Sequence, residues 1–430
     1  MRTMQSAMKF KGWVRAVVAV ALVSVVAACG GGGSSSSDNS SNALNGGSLP
    51  PSPTQQPIAS TAGNTVPITV GPGVNGVINI PTVSVTVCAP GSASNCQTIR
   101  NIQVDTGSFG LRVVSSVLNS SLLGALPVST AANGAQLAEC ATFADGYTWG
   151  TVRTASVTMG SETTTRAIPI QIIGDKASST VPSPGCGSGS AENTASDLGA
   201  NGILGIGTAP TDCGATCANA QTVNYSNYFA CPGGTSCTRA TVPLTQQVAN
   251  PVANFPVDNN GVIVQLPPVP DTGAASAIGT LVFGIRTQSN NALAAAQTFT
   301  TDAFGDLNNS VYNGTTVSAF LDSGSNAYFF ADSSLTLCGS NFAGFYCPSA
   351  AQTRSITLVG LNGTKAGASI GILSASTLFG NSSNYAFNDL AGQIGGNSSF
   401  DLGLPFFYGR YVYYGFDQTA SGGQTPYVGF

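Results

Sequence analysis

The sequence predicts an all-β protein of two related lobes, and three observations carry that expectation. From Thr65 onward, short β-branched runs alternate with turn residues, and helical periodicity is scarce. Residues 64–430 are more than a single hydrophobic core comfortably serves, so two cores are expected. One unusual local pattern also occurs twice, once in each presumptive half.

The strand-like runs include Thr82–Val87, Ile102–Val104, Thr151–Thr158, Ile168–Ile173, Thr280–Phe283 and Ile356–Val359. Asn313-Gly314 and Asn362-Gly363 are hairpin signals, because both residue types tolerate positive φ. Gly71-Pro72-Gly73-Val74-Asn75-Gly76 has the glycine spacing of a dinucleotide-binding loop. Such a loop must open a helix, whereas Val77-Ile78-Asn79-Ile80 is strand-like and stops at Pro81. The segment therefore reads as a turn.

Arg2, Lys9, Lys11 and Arg15, the apolar run Ala16–Ala28 and then Cys29 have the layout of a secretory signal, too short to span a membrane. Val26-Ala27-Ala28-Cys29-Gly30 resembles the lipobox of bacterial lipoproteins, which implies a mature chain beginning at a lipidated Cys29. In that group an Asp after the Cys retains the protein at the inner membrane. Gly30 stands there instead, which implies the outer membrane, on its periplasmic face or at the cell surface. An ordinary signal peptide with an incidental Cys is the plainer alternative. Gly30–Gly33, Ser34–Ser37 and Pro50-Pro51-Ser52-Pro53 cannot bury apolar surface and read as a disordered tether.

The expected division is thus a signal over 1–28, the lipidated Cys and tether over 29–63, and an N-terminal β lobe over 64–210. A disulfide-stapled interlobe region leading into the second lobe follows over 211–279, and a C-terminal β lobe over 280–430.

Loss of the signal leaves ten basic against 18 acidic side chains and no basic cluster, which argues against nucleic acid as a partner. Beyond Cys29 ten cysteines remain, an even number suited to an oxidising compartment. Short spacings suggest Cys88–Cys96, Cys213–Cys217, Cys231–Cys237 and Cys338–Cys347, with Cys140–Cys186 paired by elimination. A zinc site at Cys213, Cys217, Cys231 and Cys237 is the competing reading, disfavoured by export. The chain has no His, which excludes His-dependent nucleophilic catalysis and His-ligated metals. Acid–base chemistry falls to carboxylates, and no metal or cofactor is expected.

The repeat carries the functional reading. Ile102-Gln103-Val104-Asp105-Thr106-Gly107-Ser108 and Ala319-Phe320-Leu321-Asp322-Ser323-Gly324-Ser325 are each an apolar strand running into Asp-Thr/Ser-Gly-Ser. Ile203-Leu204-Gly205 follows the first and Asp401-Leu402-Gly403 the second. A lone Asp-x-Gly is usually a turn. Two in matching contexts fit a paired-carboxylate centre: carboxyls about 3 Å apart cannot both ionise and share one proton.

These pieces, in this order, resemble the pepsin-like aspartic peptidase family over about residues 65–430. Val104–Ser108 matches its first catalytic loop and Leu321–Ser325 its second. Asn201–Gly207 is similar to the segment closing its first lobe, and Leu402–Phe407, Arg410–Asp417 and Val428–Phe430 to its closing strands. The chain is also similar to a family of exported bacterial lipoproteins. The resemblance implies a bilobal acid-protease fold, with Asp105 and Asp322 as catalytic residues. Thr106, Gly107, Ser108, Ser323, Gly324 and Ser325 would support the two loops.

Departures concentrate at the flap. Arg112 stands where that family has a Trp, Phe143 where it has the flap Tyr, and Gly146 on the flap Gly, with Tyr147 and Trp149 nearby. Phe143, Gly146, Tyr147, Trp149 and Arg112 are accordingly expected around the flap and substrate cleft, with ordinary hairpin packing the alternative for Phe143 and Trp149. No Lys or Arg lies between Cys29 and Arg100, so a basic prosegment is not evident. The leading expectation is a monomeric, membrane-anchored aspartic endopeptidase acting on peptides or proteins. Its partner at the membrane would be outer-membrane lipid, engaged through acylated Cys29. A non-catalytic pseudopeptidase or surface-binding lipoprotein with the same fold, or an unrelated adhesive β-protein, are the alternatives.

Overall fold

A computed structural model of the protein describes residues 48–182, 186 and 189–430. The signal at 1–28, Cys29 and the first part of the tether lie outside the described residues. The described chain is almost entirely strand, and the longest of its few α-helices, Ser120–Ala125, has six residues.

The N-terminal lobe is built from strands Pro81–Cys88, Cys96–Asp105, Phe109–Val114, Gln136–Thr142, Gly146–Met159, Ile168–Ile173 and Gly202–Ile206. Phe109–Val114 and Ile168–Ile173 are buried at every position, so these strands lie inside with both faces covered. The C-terminal lobe is a separate seven-stranded sheet, in the order Lys365–Ile372, Gln352–Val359, Leu307–Tyr312, Thr315–Asp322, Ser399–Gly403, Tyr328–Phe330 and Ala391–Gly392. Gln352–Val359 alternates exposed and covered residues over its first half, as a strand with one wet face must.

A third antiparallel layer joins the lobes. Its strands are Thr65–Val70, Ala277–Phe283, Gly261–Leu266, Arg410–Gly415, Tyr427–Gly429 and Thr298–Thr300, taken from the start, middle and end of the described chain. A continuous apolar core runs through it, from Val85 and Val157 of the first lobe past Leu281 and Val412 to Phe400 of the second.

Turn chemistry follows the sequence at Asn313-Gly314, where both residues have positive φ (48° and 75°) and Tyr312 faces Thr315. At Asn362-Gly363 the loop is longer: only Gly363 has positive φ, and Val359 faces Lys365. Gly71–Gly76 is a turn, with Gly76 N–H donating to Pro72 O at 2.7 Å. Val77–Ile80 is not strand, contrary to its composition. The strand begins at Pro81, where a missing N–H costs little.

Five disulfides are present: Cys88–Cys96, Cys140–Cys186, Cys213–Cys217, Cys231–Cys237 and Cys338–Cys347. The four sulfurs considered for zinc are thus paired with one another. Among the described residues no cluster of three His, Cys, Asp or Glu is placed to hold a metal.

Two boundaries differ from expectation. Residues 48–63, expected as part of the tether, lie along the folded body. Gln55 N–H donates to Gly409 O, Ile58 N–H to Gln265 Oε1, and Thr280 Oγ1 to Ile58 O. Low apolar content did not leave this stretch free, because its extended backbone finds hydrogen-bond partners on the interlobe sheet. Within 211–279, the stapled segment belongs to the first lobe, since Tyr228–Cys231 pairs with Gln136–Thr142.

Candidate functional site

Each copy of the repeat becomes the same local weave. Strand Cys96–Asp105 runs to Asp105, and Gly202–Ile206 lies parallel to it, with Leu204 opposite Val104 and Gly205 opposite Asp105. Gly202–Ile206 also pairs antiparallel with Phe109–Val114, so the loop 105–109 wraps over its end. In the second lobe, Ser399–Gly403 lies parallel to Thr315–Asp322, with Leu402 opposite Leu321 and Gly403 opposite Asp322. It pairs antiparallel with Tyr328–Phe330. Apolar strand residues bury each loop's root, and the polar tetrad Asp-Thr/Ser-Gly-Ser emerges where the two lobes meet.

The loops interlock by reciprocal hydrogen bonds. Ser323 N–H donates to Thr106 Oγ1 (2.9 Å), and Thr106 Oγ1 donates to Leu321 O (3.2 Å). Thr106 N–H donates to Ser323 Oγ (3.2 Å), and Ser323 Oγ donates to Val104 O (2.8 Å). Tyr414 of the interlobe sheet adds a hydroxyl donated to Leu321 O at 2.9 Å. Gln103 Nε2 reaches across to Gly324 O at 3.0 Å.

The two carboxyls come together between these loops. A Cβ on Gly324 would lie 2.5 Å from Asp105 Oδ1 and 3.0 Å from Asp322 Oδ1, so both oxygens crowd one point. A Cβ on Gly107 would fall 2.6 Å from Asp322 Cγ. Only glycine permits this approach at either loop. Gly107 N–H donates to Asp105 Oδ1 (2.9 Å) and Ser108 Oγ to Oδ2 (2.6 Å). Gly324 N–H donates to Asp322 Oδ1 (2.7 Å) and Ser325 Oγ lies 3.2 Å from Oδ2. Asp105 and Asp322 are 2% and 0% exposed. Such an arrangement can hold one proton between two carboxyls away from bulk water.

A third carboxyl belongs to this cluster. Asp401 is buried and hydrogen-bonded through Oδ2 to Ser325 Oγ. Burial pushes its pKa well up, and the neighbouring Asp322 and Asp105 push it further. In the sequence Asp401 is simply the first residue of Asp401-Leu402-Gly403, the segment matching Ile203-Leu204-Gly205. The signal was its place in the second copy where the first has Ile203.

The residues expected at the flap are placed differently. Gln136–Thr142 and Gly146–Met159 form the hairpin, closed by Phe143 N–H donating to Gly146 O. Phe143 packs inward against Val114, Ala141, Ile173, Leu198 and Ile203. Trp149 is fully buried, donating Nε1–H to Thr180 Oγ1 and meeting Phe229 edge-on. Gly146 and Tyr147 pair with Ser190 and Ala191, which leaves Tyr147 partly covered. Arg112 is interior, ion-paired with Glu139 and Asp212, and it donates to Phe109 O at 2.8 Å. Burial disfavours its charge, but those two carboxylates outweigh burial and raise its pKa. Three of the five thus serve the lobe's interior: strand burial claimed Arg112 and Trp149, and an apolar pocket claimed Phe143.

A family model described as "Protein of unknown function (DUF3443)" matches residues 60–430. No curated protein matches the chain. Among solved structures, an aspartic proteinase from Irpex lacteus is similar at 18% identity, covering 85% of this chain and 96% of its own, with a TM-score of 0.49.

Proposed function

The chain belongs to the DUF3443 family, and from its own site we propose that it is an aspartic-type endopeptidase of pepsin-like architecture. The observation that carries this reading is the pair Asp105 and Asp322. They sit on equivalent loops from two lobes, with carboxyl oxygens crowding one point and glycine at both closest approaches. In the reaction the ionised member takes a proton from water, whose oxygen bonds to the scissile carbonyl carbon. The protonated member donates to the carbonyl oxygen. The resulting diol collapses as the C–N bond breaks and a proton passes to the leaving amine. Ser108 and the N–H groups of Gly107 and Gly324 hold the carboxyls in register for both steps. Lipidation at Cys29, anchoring to the outer membrane and action as a monomer complete the proposal.

A second reading, a pseudopeptidase that binds without cleaving, is favoured by two observations. Both carboxyls are nearly inaccessible, and the hairpin tip is pinned on Ser190–Ala191. Purified protein incubated with a denatured substrate at acid pH, with and without a statine-type inhibitor, separates the two. Inhibitable cleavage is expected, with Asp105→Asn and Asp322→Asn each lowering it at least about a thousandfold while the melting transition is retained. Inhibitor-insensitive cleavage, or full activity in either variant, removes the dyad assignment. No cleavage at any pH favours the second reading.

A further inference from the structure

The two halves of the dyad are not supported alike. Ser108 Oγ donates to Asp105 at 2.6 Å, and the matching position on the neighbouring strand is the apolar Ile203. In the second lobe that position is Asp401, and Ser325 Oγ stands within hydrogen-bond distance of two carboxyls, Asp322 Oδ2 and Asp401 Oδ2. A hydroxyl has one proton and cannot donate to both. For both contacts to be hydrogen bonds, one of the two carboxyls must donate to it. Asp322 accepts the Gly324 N–H on its other oxygen, which favours its ionised form. Asp401 Oδ1 is buried with no hydrogen-bond partner, which an ionised carboxylate tolerates badly.

We propose that the carboxyl of Asp401 donates its proton to Ser325 Oγ and thereby turns the Ser325 hydroxyl onto Asp322, making Asp401 a positioning residue for the dyad. The groups facing it agree. Its strand neighbours Phe320 and Phe329 are apolar, and the ionisable groups around it are the carboxyls of Asp322 and Asp105 and the phenol of Tyr414. Burial first and then Asp322 raise the Asp401 pKa, in keeping with a neutral acid. A donor behind Ser325 polarises its hydroxyl and strengthens the bond to Asp322, with no net charge added beside the dyad.

The proposal rests on the peptidase reading of this site, so its test has one arm that needs no turnover. In infrared spectra of the full chain at neutral pH, wild type is expected to show a carboxylic-acid carbonyl band that Asp401→Asn removes. Ser325→Ala should move that band to the frequency of an acid with no acceptor. A wild-type-minus-Asp401→Asn difference spectrum without the band overturns the proposal even if peptides are cleaved, and one with it supports the proposal even if none are. In the second arm, Asp401→Leu is expected to lower kcat about tenfold with little change in KM and to shift the acid limb of the pH profile upward. Asp401→Asn, with an N–H donor in place of O–H, should restore most of kcat. Equal loss in both variants, or no loss in either, overturns the assignment. Should the Leu variant not fold, Ser325→Ala takes its place. Adding Asp401→Asn to it should change nothing more, and a further loss overturns the proposal.

Discussion

One guanidinium contacts two interior carboxyls in the first lobe, and burial, then Glu139, pushes Asp212 toward its neutral form, which sets what Arg112 can do. With Glu139 and Asp212 as partners it has no freedom to swing toward the cleft or to solvent. Arg112→Leu should cost about 3–5 kcal/mol, because it leaves the buried Glu139–Asp212 carboxyl pair without its cation. Urea unfolding of the variant measures that loss, and an unchanged midpoint would refute the ion-pair account. Asp389 makes an opposite case. Burial, then the charge of Asp271, raises its pKa to about 8. Between the ordinary carboxylate range and about 8, the folded chain holds a proton that the unfolded chain has lost. Stability therefore falls as pH rises through that window. Asp389→Asn should flatten this fall, seen as urea midpoints at pH 4 and pH 8 that differ less than in wild type.

Turns and strands explain why some segments followed their composition. Asn313-Gly314 joins Leu307–Tyr312 to Thr315–Asp322, the strand that runs into the second Asp-Ser-Gly-Ser loop. With Gly314 at a φ of 75°, Gly314→Val should lower stability by about 1–2 kcal/mol, whereas Gly314→Asn should cost much less. Chemical denaturation of the two variants checks this, and equal losses would argue against a backbone cause. The strap 48–63 and the run Val77–Ile80 went the other way. The strap reads as a free tether yet is hydrogen-bonded to the folded body, and Val77–Ile80 reads as strand yet joins no ladder. Ile78 and Ile80 are buried all the same, and Asn79 Nδ2 donates to Asn326 O and Phe387 O at 2.8 Å. That side chain ties the first lobe's entry to the second lobe.

The interlobe sheet makes the dyad a property of the assembled protein. Its strands come from far-separated parts of the chain, and its Tyr414 hydroxyl bonds to the carbonyl that Thr106 also uses. The strap, hydrogen-bonded to Gln265, Thr280 and Gly409, brings the start of the described chain against this same sheet. Under the anchoring proposal, a lipidated Cys29 upstream of the strap holds the protein to a membrane. Cys29→Ser should release the protein from the membrane fraction or leave its precursor uncut. Multiple acyl chains bind stably where one binds marginally, and a soluble wild type with an unmodified N-terminus would end the anchoring proposal.

Local chemistry was enough to read the strands, the Asn313-Gly314 turn, the four short-range cysteine pairs and the doubled Asp loop. Each depends on neighbours a few residues away or on a repeated pattern. Two lobes followed from length and repetition. Tertiary packing decided the rest. It buried Arg112, Trp149 and Phe143, because a side chain's exposure depends on which strand covers it and no local pattern records that. It moved the stapled segment into the first lobe through its pairing with Gln136–Thr142. It brought Asp401 to Ser325, since a parallel register between strands some eighty residues apart in sequence set a third carboxyl behind the dyad. Residue types and spacing determine which groups can do chemistry, and the partners that set their protons come from contacts made only when the chain closes on itself.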